Sequence, residues 1–102
     1  MTDPAPTERL DATVRGRVQG VGFRYFVMQA ASRLPVTGWV ANESDGSVRC
    51  VAEGQRPALD ALLGILREGP HGARVDHVAE TWMPATGTFD RFRVRSGSHA
   101  GD

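Results

Sequence analysis

Lysine is missing from this sequence, so all twelve basic residues of the 102-residue chain are arginine. This absence excludes any mechanism that needs a catalytic or Schiff-base lysine, and it excludes the nucleotide-binding P-loop, whose motif contains Gly-Lys. Cysteine is nearly absent as well, since Cys50 is the single thiol and an internal disulfide is impossible. One unpaired thiol favours a cytoplasmic protein.

Charge excess and long apolar runs are also missing. Twelve acidic residues balance the twelve arginines, so composition gives no indication of binding to nucleic acid or to an anionic membrane. No stretch approaches the length of a membrane span, and the first residues, MTDPAPTERLD, have prolines and acids in place of an apolar signal core. We therefore expect no nucleic-acid partner, no membrane partner and no secretion signal.

Potential metal ligands are few and scattered. The three histidines, His71, His77 and His99, are predicted to lie in a loop, in a strand and in the C-terminal tail. Cys50 shares one face of its predicted strand with Val48 and Ala52 and is expected to fill the core. This spacing does not match a metal site, so we predict neither a metal nor a cofactor.

The length of the chain suits one compact domain. The hydrophobic patterns occupy residues 9–95, whereas 1–8 and 96–102 are predicted to be flexible tails. The predicted elements are a strand at 10–18, a helix at 22–34, strands at 36–43 and 47–53, a helix from about 57 to 68, and strands at 74–83 and 89–95.

The order of these elements predicts the fold class. An α+β chain with the order β-α-β-β-α-β and a short fifth strand indicates a ferredoxin-like α/β sandwich, with two helices on one face of an antiparallel sheet. Asp45-Gly46 predicts a hairpin between the second and third strands. The residues of the first helix that are predicted to face the sheet are Phe23, Phe26, Val27, Ala30 and Leu34.

The stretch Gly16–Arg24, GRVQGVGFR, places three glycines and an arginine between the first strand and the first helix. Glycines permit positive φ and a close approach of the backbone. The first amides of a helix lack intrahelical partners, and the helix dipole is positive there, so this loop can bind an anion. Arg24 can add two hydrogen bonds to a phosphoryl group. The alternative is that the glycines only make a tight, packed turn.

Two common glycine motifs do not fit this loop. A P-loop beginning at Gly16 would need a glycine where Val21 stands. A dinucleotide-binding motif beginning at Gly20 would need a glycine where Tyr25 stands, and the chain is too short for a Rossmann domain. Neither motif therefore predicts a nucleotide site.

A second segment, TGWVAN, ends at Asn42. Taken alone, Asn42 could cap a turn with its own side chain. Together, however, GRVQGVGFR and TGWVAN resemble the two signature segments of the acylphosphatase family, and the spacing from Arg24 to Asn42 matches. The resemblance continues through DGSVRCVAEG, the leucine-rich second helix, GARVDHV and FRVR, and it covers residues 9–95. It implies an enzyme that hydrolyses the carboxyl–phosphate bond of acyl phosphates without a metal.

The resemblance also implies roles for individual residues. Arg24 would bind the phosphoryl group through its guanidinium, and Asn42 would position the attacking water. Inorganic phosphate or sulfate would bind as product or inhibitor. Glu43 follows Asn42, but strand alternation should turn it away. We expect a monomer whose partner is a small acyl phosphate. The backbone amides that would cradle the phosphoryl group belong to Gln19, Gly20, Val21, Gly22, Phe23 and Arg24.

Two other classes of function compete with this hypothesis. A non-catalytic anion-sensing or regulatory ferredoxin-like module would keep the loop without turnover. RNA-recognition domains share the element order, but they present aromatic residues on the first and third strands. Those strands read DATVRGRV and SVRCVAEG here and contain no aromatic residue. The sequence therefore argues against RNA, and hydrolysis of an acyl phosphate in chelator would separate the enzyme from the sensing module.

Overall fold

Residues 6–96 are described by the structure, a computed structural model of the chain. They form five strands and two helices. The bounds are β1 Glu8–Arg17, α1 Phe23–Ala31, β2 Thr37–Asn42, β3 Val48–Gly54, α2 Arg56–Glu68, β4 Arg74–Pro84 and β5 Phe92–Arg95.

The five strands form one sheet in the order β4-β1-β3-β2-β5. β1 pairs antiparallel with β3 and β4, and β3 pairs antiparallel with β2. The ferredoxin-like prediction is confirmed, but β5 pairs parallel with β2, so the sheet is mixed instead of wholly antiparallel. The reason is topological: β4 runs opposite to β2, and the chain reverses after β4 before it reaches the far edge of the sheet.

Both helices pack on one face of this sheet, and the core lies between the layers. In β1, Leu10, Ala12 and Val14 are fully buried, whereas the intervening Asp11 and Thr13 lie on the open face. This alternation is the pattern of a strand with one buried and one open face. The second helix contributes its leucine-rich face, and its buried residues are Ala58, Leu59, Leu62, Leu63 and Leu66.

The first helix is shorter than predicted. α1 ends at Ala31, and the amides of Arg33 and Leu34 then donate to carbonyl oxygens three residues back, at 3.1 and 3.0 Å. Pro35 accounts for this tightening, because the residue before a proline is disfavoured in the α-helical region. The buried face of α1 follows the i, i+4 spacing of Phe23, Val27 and Ala31, so Ala31, and not the predicted Ala30, is the buried alanine.

The strand ends also differ from the prediction. β1 begins at Glu8, which pairs with Gly54 and Pro84 and so belongs to the sheet instead of the predicted tail. β5 begins only at Phe92, because its ladder with β2 starts at Gly38. Ser96 is the last residue described, and the remaining tail residues, 1–5 and 97–102, lie outside the described part of the chain.

Candidate active site

Two glycines lie in the loop between β1 and α1, and both have a backbone conformation that other residues rarely adopt. Gly20 has φ +75° and Gly22 has φ +76°. A Cβ atom at either position would meet nothing within 4 Å, so conformation and not space accounts for these glycines. The backbone path of the loop into α1 therefore depends on them.

Gly16 has a different role, in the sheet. It lies where the register between β1 and β4 shifts, directly after Arg15. Its φ is +136°, and a Cβ atom there would overlap the carbonyl oxygen of Arg74. Close backbone packing therefore accounts for Gly16, which lies in a strand and not in the predicted turn, whereas a Cβ atom at Gly20 or Gly22 would meet no neighbour.

The first turn of α1 carries no negative charge of its own. Gly22 is the N-cap and makes no side-chain capping bond, and the first turn contains no acidic residue. Helix N-terminal amides are usually capped by a side-chain oxygen, and the dipole there favours an anion. Arg24, the second residue of the helix, adds positive charge at this place. An anion from outside the helix would be stabilised here.

Arg24 also connects the start of α1 to the last strand. Its Nη1 donates to the carbonyl oxygen of Arg95, at 3.1 Å. Arg95 is the last residue of β5, which lies beside β2. The bond places the Arg24 guanidinium next to the ends of these two parallel strands.

Asn42 is the last residue of β2 and pairs with Val48 of β3. Val40, two residues earlier, is fully buried in the core. Because alternate residues of a strand share a face, Asn42 lies on the helix-facing side of the sheet, just beyond the core. The end of β2 therefore presents a carboxamide to the loop.

Arg24 and Asn42 line the same cleft, which has a volume of about 460 Å³. The cleft is bordered by the loop, the start of α1 and the ends of β2 and β5. None of its lining residues in the described chain carries a carboxylate. The lining residues are Val18, Gly20, Gly22, Phe23, Arg24, Tyr25, Asn42, Val94, Arg95 and Ser96.

Comparison with known proteins identifies the family. A family model described as Acylphosphatase matches residues 10–94. The chain belongs to the acylphosphatase family. An acylphosphatase of Salinibacter ruber is 54% identical over 88 residues, which are 86% of this chain and 93% of that protein. One of Thermobifida fusca is 48% identical over 85% of this chain and 96% of its own.

The fold agrees with this family. A crystal structure of acylphosphatase from Bacillus subtilis matches with a TM-score of 0.83 and 35% sequence identity, over 86% of this chain and 98% of that chain. The predicted family and the predicted class of hydrolase are thereby confirmed.

The cleft unites most of the residues that the sequence singled out. Gly20, Gly22, Phe23, Arg24 and Asn42 all line it. Gln19 and Val21 are absent from the lining. Val21 instead packs its side chain against the core, and any contribution of these two residues through their backbone amides stays a prediction.

Gln19 has a structural link that sequence reasoning missed. Its Nε2 donates to the carbonyl oxygens of Glu43 and Ser47, at 2.7 and 2.9 Å. These two residues flank the β2–β3 hairpin turn, and the amide of Glu43 donates to Ser47 as well, at 2.8 Å. The side chain of Gln19 therefore ties the glycine loop to the strand that carries Asn42.

The last strand contributes lining residues that were not predicted. Val94, Arg95 and Ser96 reach the cleft because β5 lies beside β2. The only sequence signal was the apolar content of FRVR, which indicated a strand but not its neighbour. Tyr25, on the first turn of α1, is exposed and also lines the cleft.

The remaining chemical groups lie away from this cleft. Glu43 lines a separate groove on the open face of the sheet, as strand alternation predicted. Cys50 is fully buried, and burial raises the pKa of its thiol to about 12, which suits the predicted core role. Within residues 6–96, no cluster of three or more His, Cys, Asp or Glu side chains could hold a metal ion. His99 lies outside that range.

Neither helix in the described part of the chain is long and apolar enough to cross a membrane.

Proposed function

We propose that this chain hydrolyses acyl phosphates to a carboxylate and inorganic phosphate, with Arg24 and Asn42 as its catalytic residues. The observation that carries the proposal is the meeting of these two side chains in one cleft, at the start of a helix and beside a positive-φ glycine loop. Family membership supports the reaction, and the geometry supports the residues.

The phosphoryl group would be held by the loop. Backbone amides of residues 19–24 donate to its oxygens, with the α1 dipole favouring the negative charge. Arg24 adds a planar guanidinium that suits two phosphoryl oxygens at once. Since no lining residue in the described chain is acidic, no side-chain carboxylate there would repel the substrate.

Asn42 would hold the nucleophilic water. Its carboxamide contains both a donor and an acceptor, so it can fix the position and the orientation of a water molecule. The water oxygen forms a bond to phosphorus while the bond from phosphorus to the acyl oxygen breaks, and that electron pair leaves with the carboxylate. Both water protons stay on the phosphoryl product, so an acyl phosphate dianion and water give a carboxylate and dihydrogen phosphate.

This reaction needs neither a strong base nor a general acid from the protein. The carboxylate is a good leaving group, and a loose phosphoryl-transfer transition state depends on positioning and on charge stabilisation. An arginine, several amides and one water-holding carboxamide can supply both. We further propose that the chain acts as a cytoplasmic monomer without a metal.

The test is hydrolysis of benzoyl phosphate by the purified chain in excess chelator, corrected for spontaneous hydrolysis. The expected result is full activity in chelator and competitive inhibition by phosphate at millimolar concentration. Loss of activity in chelator would contradict metal-independent hydrolysis, and a failure of phosphate to compete would contradict the loop assignment. Phosphate binding without any turnover would instead indicate the anion-sensing module.

A further inference from the structure

Two large apolar side chains are conspicuously exposed in the described part of the chain. Tyr25 is 66% exposed and Val94 is 44% exposed. Single exposed apolar residues are ordinary on a protein surface. These two, however, lie on different elements and line the same cleft as Arg24 and Asn42. Their convergence at the candidate active site calls for a functional explanation.

Val94 is brought to the cleft by the parallel pairing of β5. It pairs with Val40 of β2, and Asn42 lies two residues further along the same face. Phe92, two residues before Val94, is buried on the face of β5 that contacts α1. Val94 thus continues the core face of β5 past the end of the core, in a position diagonal to Asn42.

Tyr25 borders the cleft from the helix. It follows Arg24 in the first turn of α1, where Phe23 and Val27 point into the core and Tyr25 does not. Neither Tyr25 nor Val94 is among the side chains that pack against the hydrophobic core. Their apolar surface is therefore not needed to hold the fold together.

We propose that Tyr25 and Val94 form the binding surface for the acyl group of the substrate, and that this surface favours aromatic acyl phosphates over acetyl phosphate. The inference rests on the proposed function, because the phosphoryl group at the loop fixes where the acyl group extends. A ring can pack on the face of Tyr25 and on the methyl groups of Val94, removing apolar surface from water. A methyl group covers far less of that surface.

The experiment compares kcat/KM for benzoyl phosphate and acetyl phosphate in Tyr25→Gln and Val94→Thr. Glutamine suits a helix and threonine suits a strand, so both variants keep the local propensity. We expect the benzoyl-to-acetyl ratio to fall about fivefold in each variant, from the lost apolar contact. Tyr25→Phe should retain the wild-type ratio. Gln29→Ala, an exposed change one helical turn further along α1, is the matched control.

The inhibition constant of inorganic phosphate provides the second readout. It should change less than about twofold in both variants, because phosphate does not reach the apolar surface. If the ratio is unchanged in Tyr25→Gln and Val94→Thr while the wild type cleaves both substrates, the acyl-surface inference is wrong and the proposed function stands. If the wild type cleaves neither substrate, the proposed function fails and this inference fails with it.

The oligomeric state gives a third outcome. If the wild type is a dimer that Tyr25→Gln and Val94→Thr convert to monomers, the surface binds a second copy of the chain and the acyl-surface inference is wrong.

Discussion

Two regions of the chain combine an arginine with backbone amides in an arrangement that can bind an anion. They differ in where that anion comes from. At one end of the β2–β3 ladder, the carboxylate of Glu53 is 5% exposed. It accepts hydrogen bonds from Arg9 Nε at 2.7 Å, from the amides of Thr86 and Gly87 at 2.8 and 2.9 Å, and from the Thr86 hydroxyl at 3.0 Å. Here the chain supplies both the donors and the anion.

At the other end of that ladder lies the cleft of Arg24 and Asn42. It offers an arginine and the start of a helix, and no lining residue in the described chain contributes a carboxylate. Similar donor chemistry therefore occurs with and without an acceptor from the chain. With a carboxylate from the chain, it fixes the segment between β4 and β5; with an anion from solution, it would bind substrate. Changes at Glu53 should affect stability, and changes at Arg24 should affect turnover.

The largest expected effect is that of Arg24→Ala on turnover. Loss of one charge-stabilising donor costs about 3 kcal/mol at the transition state, which is more than about a hundredfold in kcat/KM. Arg24→Lys should also have a low kcat/KM, because an ammonium cannot replace the planar fork of the guanidinium.

Steady-state kinetics measures the loss of turnover, and urea unfolding checks that the variants are folded. The free energy of unfolding should fall by no more than about 1 kcal/mol. Arg33→Ala, which removes an exposed arginine beyond α1, is the control. Near wild-type kcat/KM in Arg24→Lys would contradict the role of Arg24.

The second effect is on stability, in Glu53→Ala. Removing a buried carboxylate leaves Arg9 and two amides without their acceptor, which should lower the free energy of unfolding by about 3 kcal/mol. The Arg24 cleft should be unaffected, so kcat/KM of the folded variant stays near the wild-type value. Glu80→Gln, at the exposed pair with Arg67, should cost less than about 1 kcal/mol. Equal destabilisation by both substitutions would show that Glu53 is no special anion site.

A smaller effect is expected for Gln19→Met, which keeps the length of the side chain and removes its two hydrogen bonds. The loop would then lose its tie to the hairpin at Glu43 and Ser47, and the distance between the loop and Asn42 would be less well fixed. We expect kcat to fall about tenfold, because small misplacements of reacting groups are costly, while KM changes little. Gln29→Met controls for the substitution itself. If stability drops and kcat does not, Gln19 only holds the fold.

A further effect is a dependence of stability on acid. Burial raises the pKa of the Glu53 carboxyl, but the hydrogen bonds from Thr86, Arg9 and Gly87 outweigh it and lower the pKa from 4.5 to about 2. The unfolded chain then binds more protons between these values, so the contribution of Glu53 is present above pH 4.5 and is lost as the pH falls towards 2. Urea midpoints of the wild type and Glu53→Gln should therefore converge in acid. A difference between the two urea midpoints that does not change with pH would contradict the lowered pKa of Glu53.

Local sequence signals predicted much of the fold and of the candidate site. The alternation of buried and exposed residues in β1 follows from the period of a strand. The glycines at positions 20 and 22 indicated a loop with positive φ, and both residues have positive φ in the structure. Asp45-Gly46 marked the hairpin, where Gly46 has φ +92° and its amide donates to Glu43 at 3.1 Å. Each of these features depends on neighbours in the chain, which is why residue type and spacing were enough.

The missed features depend on residues far apart in the chain. Arg24 bonds to Arg95 across 71 positions, and Gln19 bonds to Glu43 across 24. The parallel pairing of β5 with β2 brings Val94 into the cleft, yet nothing in FRVR indicates which strand it joins. Glu53 lies in a strand whose sequence does not reveal its contacts with Arg9, Thr86 and Gly87. Such contacts are set by topology, and local propensity does not reveal them.

The most direct test of the account is the pair of values kcat and the inhibition constant of phosphate for Asn42→Ala. The phosphoryl group is assigned to the loop and Arg24, whereas Asn42 is assigned only to the attacking water. We predict that kcat falls at least about a hundredfold, in the range lost with a single transition-state contact, while phosphate inhibits as in the wild type. A normal kcat would show that Asn42 is only a turn residue. Loss of phosphate binding together with activity would show that Asn42 shapes the loop and has no separate role with water.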